Sequence, residues 1–160
     1  MHRSQQGFSL IELLIVVAII LIIAAIAIPN LLRSRIAANQ ASAVGSLRII
    51  NTAEVTYSSS YGLGFSSTLL QLGPPASGPV TVAAAGLLDS VLASGVKSGY
   101  TFSYTPALPD ARGFYNGYNL NANPTQPGST GSAYYYSDQT HVIRGTTTGI
   151  ASAADSPVAN

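Results

Sequence analysis

The sequence predicts an α+β protein in which one long N-terminal α-helix precedes a small antiparallel β-sheet. Three observations predict this class: an apolar run near the N-terminus, a helical repeat of apolar residues after it, and Tyr-rich segments with strand-like alternation in the C-terminal half. The chain has 160 residues, a net charge of +1 and no cysteine. This composition excludes disulfides and thiol-bound metals and gives no sign of a nucleic-acid partner.

The first element is an apolar helix long enough to cross a membrane. Residues 13–28 are all apolar, and the stretch that starts at Phe8 contains only two polar residues, Ser9 and Glu12. At about 1.5 Å per residue this longer stretch measures ~31 Å, close to the hydrocarbon thickness of a bilayer. Lipid requires every backbone polar group to be satisfied internally, so the segment must be helical.

Three interpretations of this segment compete. It could be a secretory signal peptide with a small-residue cleavage site, "AIA", at residues 25–27. It could be a plain single-span anchor in which Glu12 has no role. An ionisable group at membrane depth costs about 2.5–3.5 kcal/mol, however, so the third interpretation gives the Glu12 carboxylate a function.

The third interpretation rests on several residues together. A short polar leader, "MHRSQQG", ends in Gly7, Phe8 follows, and Glu12 is the fifth residue after Gly7. The stretch "GFSLIELLIVVAIILIIAAIAIPN" closely resembles the class III prepilin signal of type IV pilins and related pseudopilins. The resemblance implies that a membrane peptidase cleaves after Gly7 and methylates the new amine of Phe8. It also implies that Glu12 registers each incoming subunit by pairing with the amine of its neighbour.

Pro29 closes the apolar run. It lacks a backbone N–H, and its ring conflicts with the carbonyl of Ala25, so we expect a kink or local opening there. The alternative is that the first helix ends at Ile28 and Pro29 starts a second one.

The helix continues as an amphipathic half over residues 31–58. Its predicted apolar stripe consists of Ile36, Ala43, Leu47, Ile50 and Tyr57, widened by Val44 and Val55. Residues expected off the stripe are Arg33, Asn39, Gln40, Arg48 and Asn51. We expect the helix to fade in "SSSYGLG", residues 58–64, because Ser and Gly weaken helical preference.

The C-terminal part is predicted to form a β-sheet that is preceded by a linking region. Residues 59–98 contain the short helix or turn stretches "TLLQLG" and "GLLDSVLASG" around a Pro/Gly-rich segment. Residues 99–145 predict an antiparallel meander of about four strands, in "GYTFSYT", "GFYNGYNLNA", "AYYYSD" and "HVIRG". The tail, residues 146–160, has little apolar pattern and is expected to be loosely held.

No catalytic constellation is visible, and we expect neither an enzyme nor a cofactor nor a metal site. The carboxylates of the C-terminal part are scattered singly, at Asp89, Asp110, Asp138 and Asp155. Asp138 lies in a turn, but calcium requires six to eight oxygen ligands. His141, the only histidine outside the predicted leader, lies beside a predicted strand and is interpreted as a surface residue.

The resemblance implies a structural filament subunit. Residues 1–7 would be the leader, residues 8–30 the membrane and polymerisation helix, and residues 31–160 the periplasmic or extracellular globular domain, in the ladle-shaped pilin fold. The implied partners are further copies of the chain, the prepilin peptidase, an inner-membrane assembly platform, minor pilins, and lipid before assembly. The alternatives are a type II secretion pseudopilin, or an anchored binding protein that does not polymerise.

Overall fold

The computed structural model describes residues 7–158 and divides the chain into two compact units, Met1–Arg35 and Ile36–Asn160. Residues 1–6 of the predicted leader lie outside the described residues. The helices are α1 (Leu10–Tyr61), α2 (Leu69–Leu72) and α3 (Ser90–Ala93). The strands are β1 (Val96–Lys97), β2 (Tyr100–Pro109), β3 (Tyr115–Pro124), β4 (Tyr134–Asp138) and β5 (Arg144–Thr146).

Helix α1 ends inside the predicted segment. Gly62 follows the last helical residue with a φ of 65°, and its N–H donates to the carbonyl of Ser58 at 2.9 Å. A left-handed residue directly after a helix is a common terminator, and glycine adopts this conformation without a Cβ penalty. The predicted end of the helix is therefore confirmed.

The amphipathic half of α1 buries the predicted stripe. Ala43, Leu47, Ile50 and Tyr57 are buried, and Ile36 is half-buried. Two predictions about the rest of this face are wrong. Val55 is 44% exposed, because a residue five positions after Ile50 lies about 140° away around the helix.

The second error concerns Asn51, which is buried although it was expected off the stripe. Its amide donates to Ser137 Oγ at 2.8 Å and accepts from Tyr118 Oη at 3.0 Å. A buried amide is tolerated when its polar atoms are hydrogen-bonded, and both partners come from distant strands.

The sheet is an antiparallel meander in the order β1-β2-β3-β4-β5. Phe102 pairs with Ala122, Leu120 with Ser137, and Tyr135 with Gly145. The four predicted strands are present, and β1 is an addition of only two residues, too short to produce an alternating pattern. The fourth begins at Arg144, so the first residues of "HVIRG" form a loop.

The hydrophobic core lies between the inner face of the sheet and the amphipathic half of α1, with the short helices α2 and α3 closing it. The fully buried large side chains of this core are Leu47, Ile50, Tyr57, Leu72, Leu92, Tyr100, Tyr118 and Leu120. The predicted α+β class is confirmed, with the helix packed on an antiparallel sheet.

The C-terminal tail is held in place, so the prediction of a loose tail is wrong. Val158 N donates to the carbonyl of Ile143 at 2.8 Å, and Gly145 N donates to the carbonyl of Ser156 at 3.0 Å. Ala151 is buried, and its carbonyl accepts from Asn121 Nδ2 at 2.7 Å. Backbone hydrogen bonds to a free strand edge need no apolar pattern, which is why the sequence does not reveal them.

Candidate functional site: the start of the apolar helix

Gly7, Phe8 and Glu12 lie together at the start of α1. Gly7 to Ser9 are not helical, and the helix begins at Leu10, which makes Ser9 the N-cap residue and Glu12 the third residue of the first turn. Ser9 N donates to Glu12 Oε2 at 2.9 Å, and Leu13 N donates to the carbonyl of Ser9 at 3.2 Å. The Glu12 carboxylate thus satisfies one of the unpaired N–H groups at the helix start.

This arrangement is one half of a capping box. In such a box a Ser at the N-cap is followed three residues later by a Glu whose side chain reaches back to the N-cap N–H. A carboxylate here also interacts favourably with the positive end of the helix dipole, an effect of about 0.3–1 kcal/mol at exposed sites. Glu12 is therefore directed toward the N-terminus of the helix.

Sequence reasoning missed the part of Ser9 in this arrangement. The signal was present, since "SLIE" before an apolar run has the Ser-x-x-Glu spacing of a capping box. The backbone N–H of Ser9, immediately after Phe8, is the group that orients the Glu12 side chain.

Within the described residues of the unit Met1–Arg35, no other part of the chain buries the apolar side chains of α1. Phe8 is 82% exposed, and an 18-residue window of the helix with mean hydropathy 3.3 has none of its residues buried. The exposed large apolar side chains are Leu10, Ile11, Leu13, Leu14, Ile15, Val16, Val17, Ile19, Ile20, Leu21, Ile22, Ile23, Ile26, Ile28, Leu31 and Leu32. A continuous apolar surface of this size requires lipid or other apolar protein surface to cover it.

Pro29 lies inside α1, which is α-helical on both sides of it. It follows Glu12 by seventeen residues, or ~26 Å along a regular helix. The alternative in which a first helix ends at Ile28 is wrong, because the helix is continuous there. The kink stays a prediction.

The scattered carboxylates do not come together elsewhere. Among residues 7–158, no group of three or more His, Asp or Glu side chains is placed to hold a metal ion. The Asp138 carboxylate accepts from Thr140 N and Thr140 Oγ1, at 2.8 and 2.6 Å, and from Tyr136 Oη at 3.3 Å. Its hydrogen bonds shape the turn after β4.

Comparison with known proteins places the same segment in a family context. Residues 2–28 match the family described as the prokaryotic N-terminal methylation motif. The chain is 65% identical over 37 residues to the type IV wide pilus major component PilA4 of Thermus thermophilus, covering 23% of this chain and 28% of that protein. It is 48% identical over 56 residues to the type IV major pilin protein PilA of Myxococcus xanthus, covering 35% of this chain and 26% of that protein.

The similarity is confined to part of each chain. The matched segment spans about a quarter of the length of these curated relatives, and no solved structure matches the chain. Residues 2–28, which match the family model, include the non-helical Gly7 and Phe8, the capping residue Glu12 and most of the exposed apolar helix. The resemblance predicted from the sequence is therefore confirmed: this chain carries the prokaryotic N-terminal methylation motif and is similar, over part of its length, to two type IV pilins.

Proposed function

We propose that this chain is a structural subunit of a type IV pilus or a similar filament, assembled through its apolar helix. The observation that carries the proposal is the uncovered helix headed by a methylation motif. A single bilayer span needs no carboxylate, whereas a bundle of such helices covers their apolar surfaces and also gives each Glu12 a partner. The names of the two curated relatives favour a pilus over a secretion pseudopilus.

We further propose that the peptidase cleaves between Gly7 and Phe8 and that the Phe8 amine is methylated. The bond lies in non-helical backbone before α1, and a Cβ placed on Gly7 would meet nothing within 4 Å. An unhindered bond in non-helical backbone is a suitable protease substrate. Cleavage there removes the polar leader and keeps the whole apolar helix in the mature subunit.

Cleavage creates the charge that Glu12 needs. The new amine of Phe8 is positive, and pairing between neighbouring subunits would neutralise both groups within an apolar bundle. Such buried pairs contribute little net stability but specify register well. We assign to Glu12 the registration of the incoming subunit.

This function involves a defined set of partners. Before assembly the helix spans the inner membrane with the globular domain on the periplasmic side, and it meets the prepilin peptidase and an assembly platform there. After assembly the partners are other copies of the chain and minor pilins in a surface fibre.

The experiment is to delete and restore the coding sequence and examine surface fibres by electron microscopy with an antibody to the globular domain. We expect fibres decorated along their length, lost on deletion and recovered on complementation. A chain that stays dispersed in the membrane while fibres persist unlabelled would contradict the proposal.

A further inference from the structure

The unit Ile36–Asn160 contains a buried carboxyl group, that of Glu54, which has no part in the proposed filament assembly. Glu54 lies on the amphipathic half of α1 and is fully buried. Among residues 7–158 the only ion pair joins Lys97 and Asp89, so Glu54 has no ion-pair partner among them. A buried charge without a counter-ion is strongly unfavourable, and such groups are usually protonated instead.

The backbone and the hydroxyl of one residue, Ser66, both bond to the Glu54 carboxyl, and Ser66 is also fully buried. Ser66 N donates to Glu54 Oε2 at 2.9 Å, and Ser66 Oγ lies 2.6 Å from Glu54 Oε1. The same Oγ lies 3.1 Å from the carbonyl oxygen of Thr68. A hydroxyl has one proton to donate and two lone pairs that accept, so its hydrogen-bond direction is adjustable.

The geometry accommodates both protonation states of Glu54. When the carboxylate is ionised, Ser66 Oγ donates to Oε1. When it is protonated, Oε1–H donates to Ser66 Oγ, and Ser66 Oγ turns its own proton to the Thr68 carbonyl. The hydrogen bond from Ser66 N–H to Glu54 Oε2 is kept in both states. Protonation of Glu54 therefore leaves neither Glu54 nor Ser66 with an unpaired polar atom.

The phenols that face Glu54 supply no positive charge to stabilise its ionised form. Tyr57 on α1, Tyr104 on β2 and Tyr118 on β3 face it, and burial raises the pKa of all three phenols, so they stay uncharged. His141, in the loop after β4, is the one facing group whose positive charge would favour ionisation. Burial raises the pKa of Glu54 above its ordinary 4.5, against the opposing effects of Ser66, Tyr104 and His141.

We propose that Glu54 is a neutral carboxylic acid in the folded protein, donating its proton to Ser66 Oγ, and that it forms a pH-dependent latch between α1 and residues 62–68. This segment starts with two glycines in the left-handed region, Gly62 and Gly64. Its other ties include the bond from Phe65 N to the Tyr115 carbonyl at 2.8 Å and the bond from Tyr104 Oη to the Ser66 carbonyl at 2.8 Å. Gly62 N also donates to the Ser58 carbonyl at 2.9 Å, and Ser67 N donates to Gln71 Oε1 at 2.7 Å. Ionisation of Glu54 therefore acts on the attachment at Ser66, the buried residue of this segment.

The sign of the effect follows from linkage. Because the folded state binds the Glu54 proton more tightly than the unfolded state, the latch is fully stabilising below about pH 4.5 and weakens as the pH rises through the higher folded pKa. Glu54→Gln imitates the neutral acid, since its amide can donate to Ser66 Oγ while its oxygen accepts from Ser66 N.

The test is infrared spectroscopy of the full chain in detergent micelles, following the carbonyl band of protonated carboxylic acids. We expect a band near neutral pH that is lost in Glu54→Gln and kept in the matched control Glu12→Gln, which removes the carboxyl of the apolar helix. The absence of a Glu54 band in the unsubstituted chain near neutral pH would overturn the proposal, whether or not the variants fold.

A second measurement is the pH dependence of denaturant stability. We expect stability to decline from about pH 4.5 upward in the unsubstituted chain, and this decline to be smaller in Glu54→Gln. Glu54→Ala, which leaves Ser66 N and Oγ without their acceptor, should be the least stable of the three at every pH. An unchanged pH slope in Glu54→Gln, or a loss of stability equal to that of Glu54→Ala, would contradict the neutral-acid latch.

Discussion

Ser9 N donates to Glu12 Oε2 at 2.9 Å, which closes the first turn of α1 and points the carboxylate toward the helix N-terminus. The structure gives Glu12 Oε1 no hydrogen-bond partner among the described residues. One oxygen of the carboxylate is therefore used inside the chain, and the other is available to a neighbour. In the mature subunit that we propose, this second oxygen is the one expected to pair with the Phe8 amine of a neighbour.

The first prediction concerns the mature N-terminus. We expect intact-mass analysis of purified fibres to give a chain that begins at Phe8 and carries a methylated amine, because the Gly7–Phe8 bond precedes the helix. A mature chain that begins at Ile28 would instead establish the secretory-signal interpretation.

The second prediction separates the charge of Glu12 from its capping role. Glu12→Ala should insert normally, since it removes a charge from membrane depth, but should abolish or strongly reduce filaments. Glu12→Gln is the matched variant, because its amide oxygen can still accept from Ser9 N while the negative charge is gone. We expect both variants to fail in assembly, as measured by fibre yield and membrane fractionation; normal fibres from either would exclude pairing as the basis of registration.

The third prediction concerns the globular domain alone. Residues 31–160 should be soluble, stable and monomeric, because Ile36–Asn160 forms a compact unit with its own core and the removed segment carries the uncovered apolar surface. Sedimentation at high concentration provides the measurement. Filaments formed by the truncated domain would show that its own surfaces drive assembly.

The fourth prediction tests the helix–sheet core of that domain. Leu47→Ala should lower the free energy of unfolding by about 2–5 kcal/mol, because the side chain is fully buried between α1 and the sheet. The matched control is Leu70→Ala on α2, whose side chain is 68% exposed and whose loss should change stability by less than about 0.5 kcal/mol. Equal effects of the two substitutions in chemical denaturation would show that Leu47 is not a core residue.

The fifth prediction concerns alkaline pH. Burial, followed by the nearby Tyr135, raises the pKa of Tyr100 from 10.0 to about 12. Its contribution to stability is therefore complete below pH 10.0 and is lost as the pH rises toward about 12. Tyr100→Phe should reduce the alkaline slope of stability and cost about 1 kcal/mol at neutral pH through the lost bond to the Ala133 carbonyl. If the alkaline slope of stability is unchanged in Tyr100→Phe, groups other than Tyr100 are responsible for the loss of stability at high pH.

Much of the architecture could be predicted because it depends on short-range patterns. Three such patterns are local: the apolar run, the spacing of Gly7, Phe8 and Glu12, and the helical repeat that includes Leu47 and Ile50. Each can be recognised without knowing how the rest of the chain folds. The Tyr-rich strands follow from alternation in the same way. The sequence by itself thus determined the class of fold and the segment where the candidate site lies.

Tertiary structure alone decided which polar groups are buried and what they contact. Glu54 is bound by Ser66, twelve residues away, Asn51 by Ser137, eighty-six residues away, and the tail by the edge of β5. A polar side chain is stable in a core only where its partner is placed, and the partner is placed by the packing of separate elements. Local sequence periodicity does not predict which distant residues form these hydrogen bonds. The buried Glu54 carboxyl and the attached C-terminal tail are therefore revealed only by the tertiary structure.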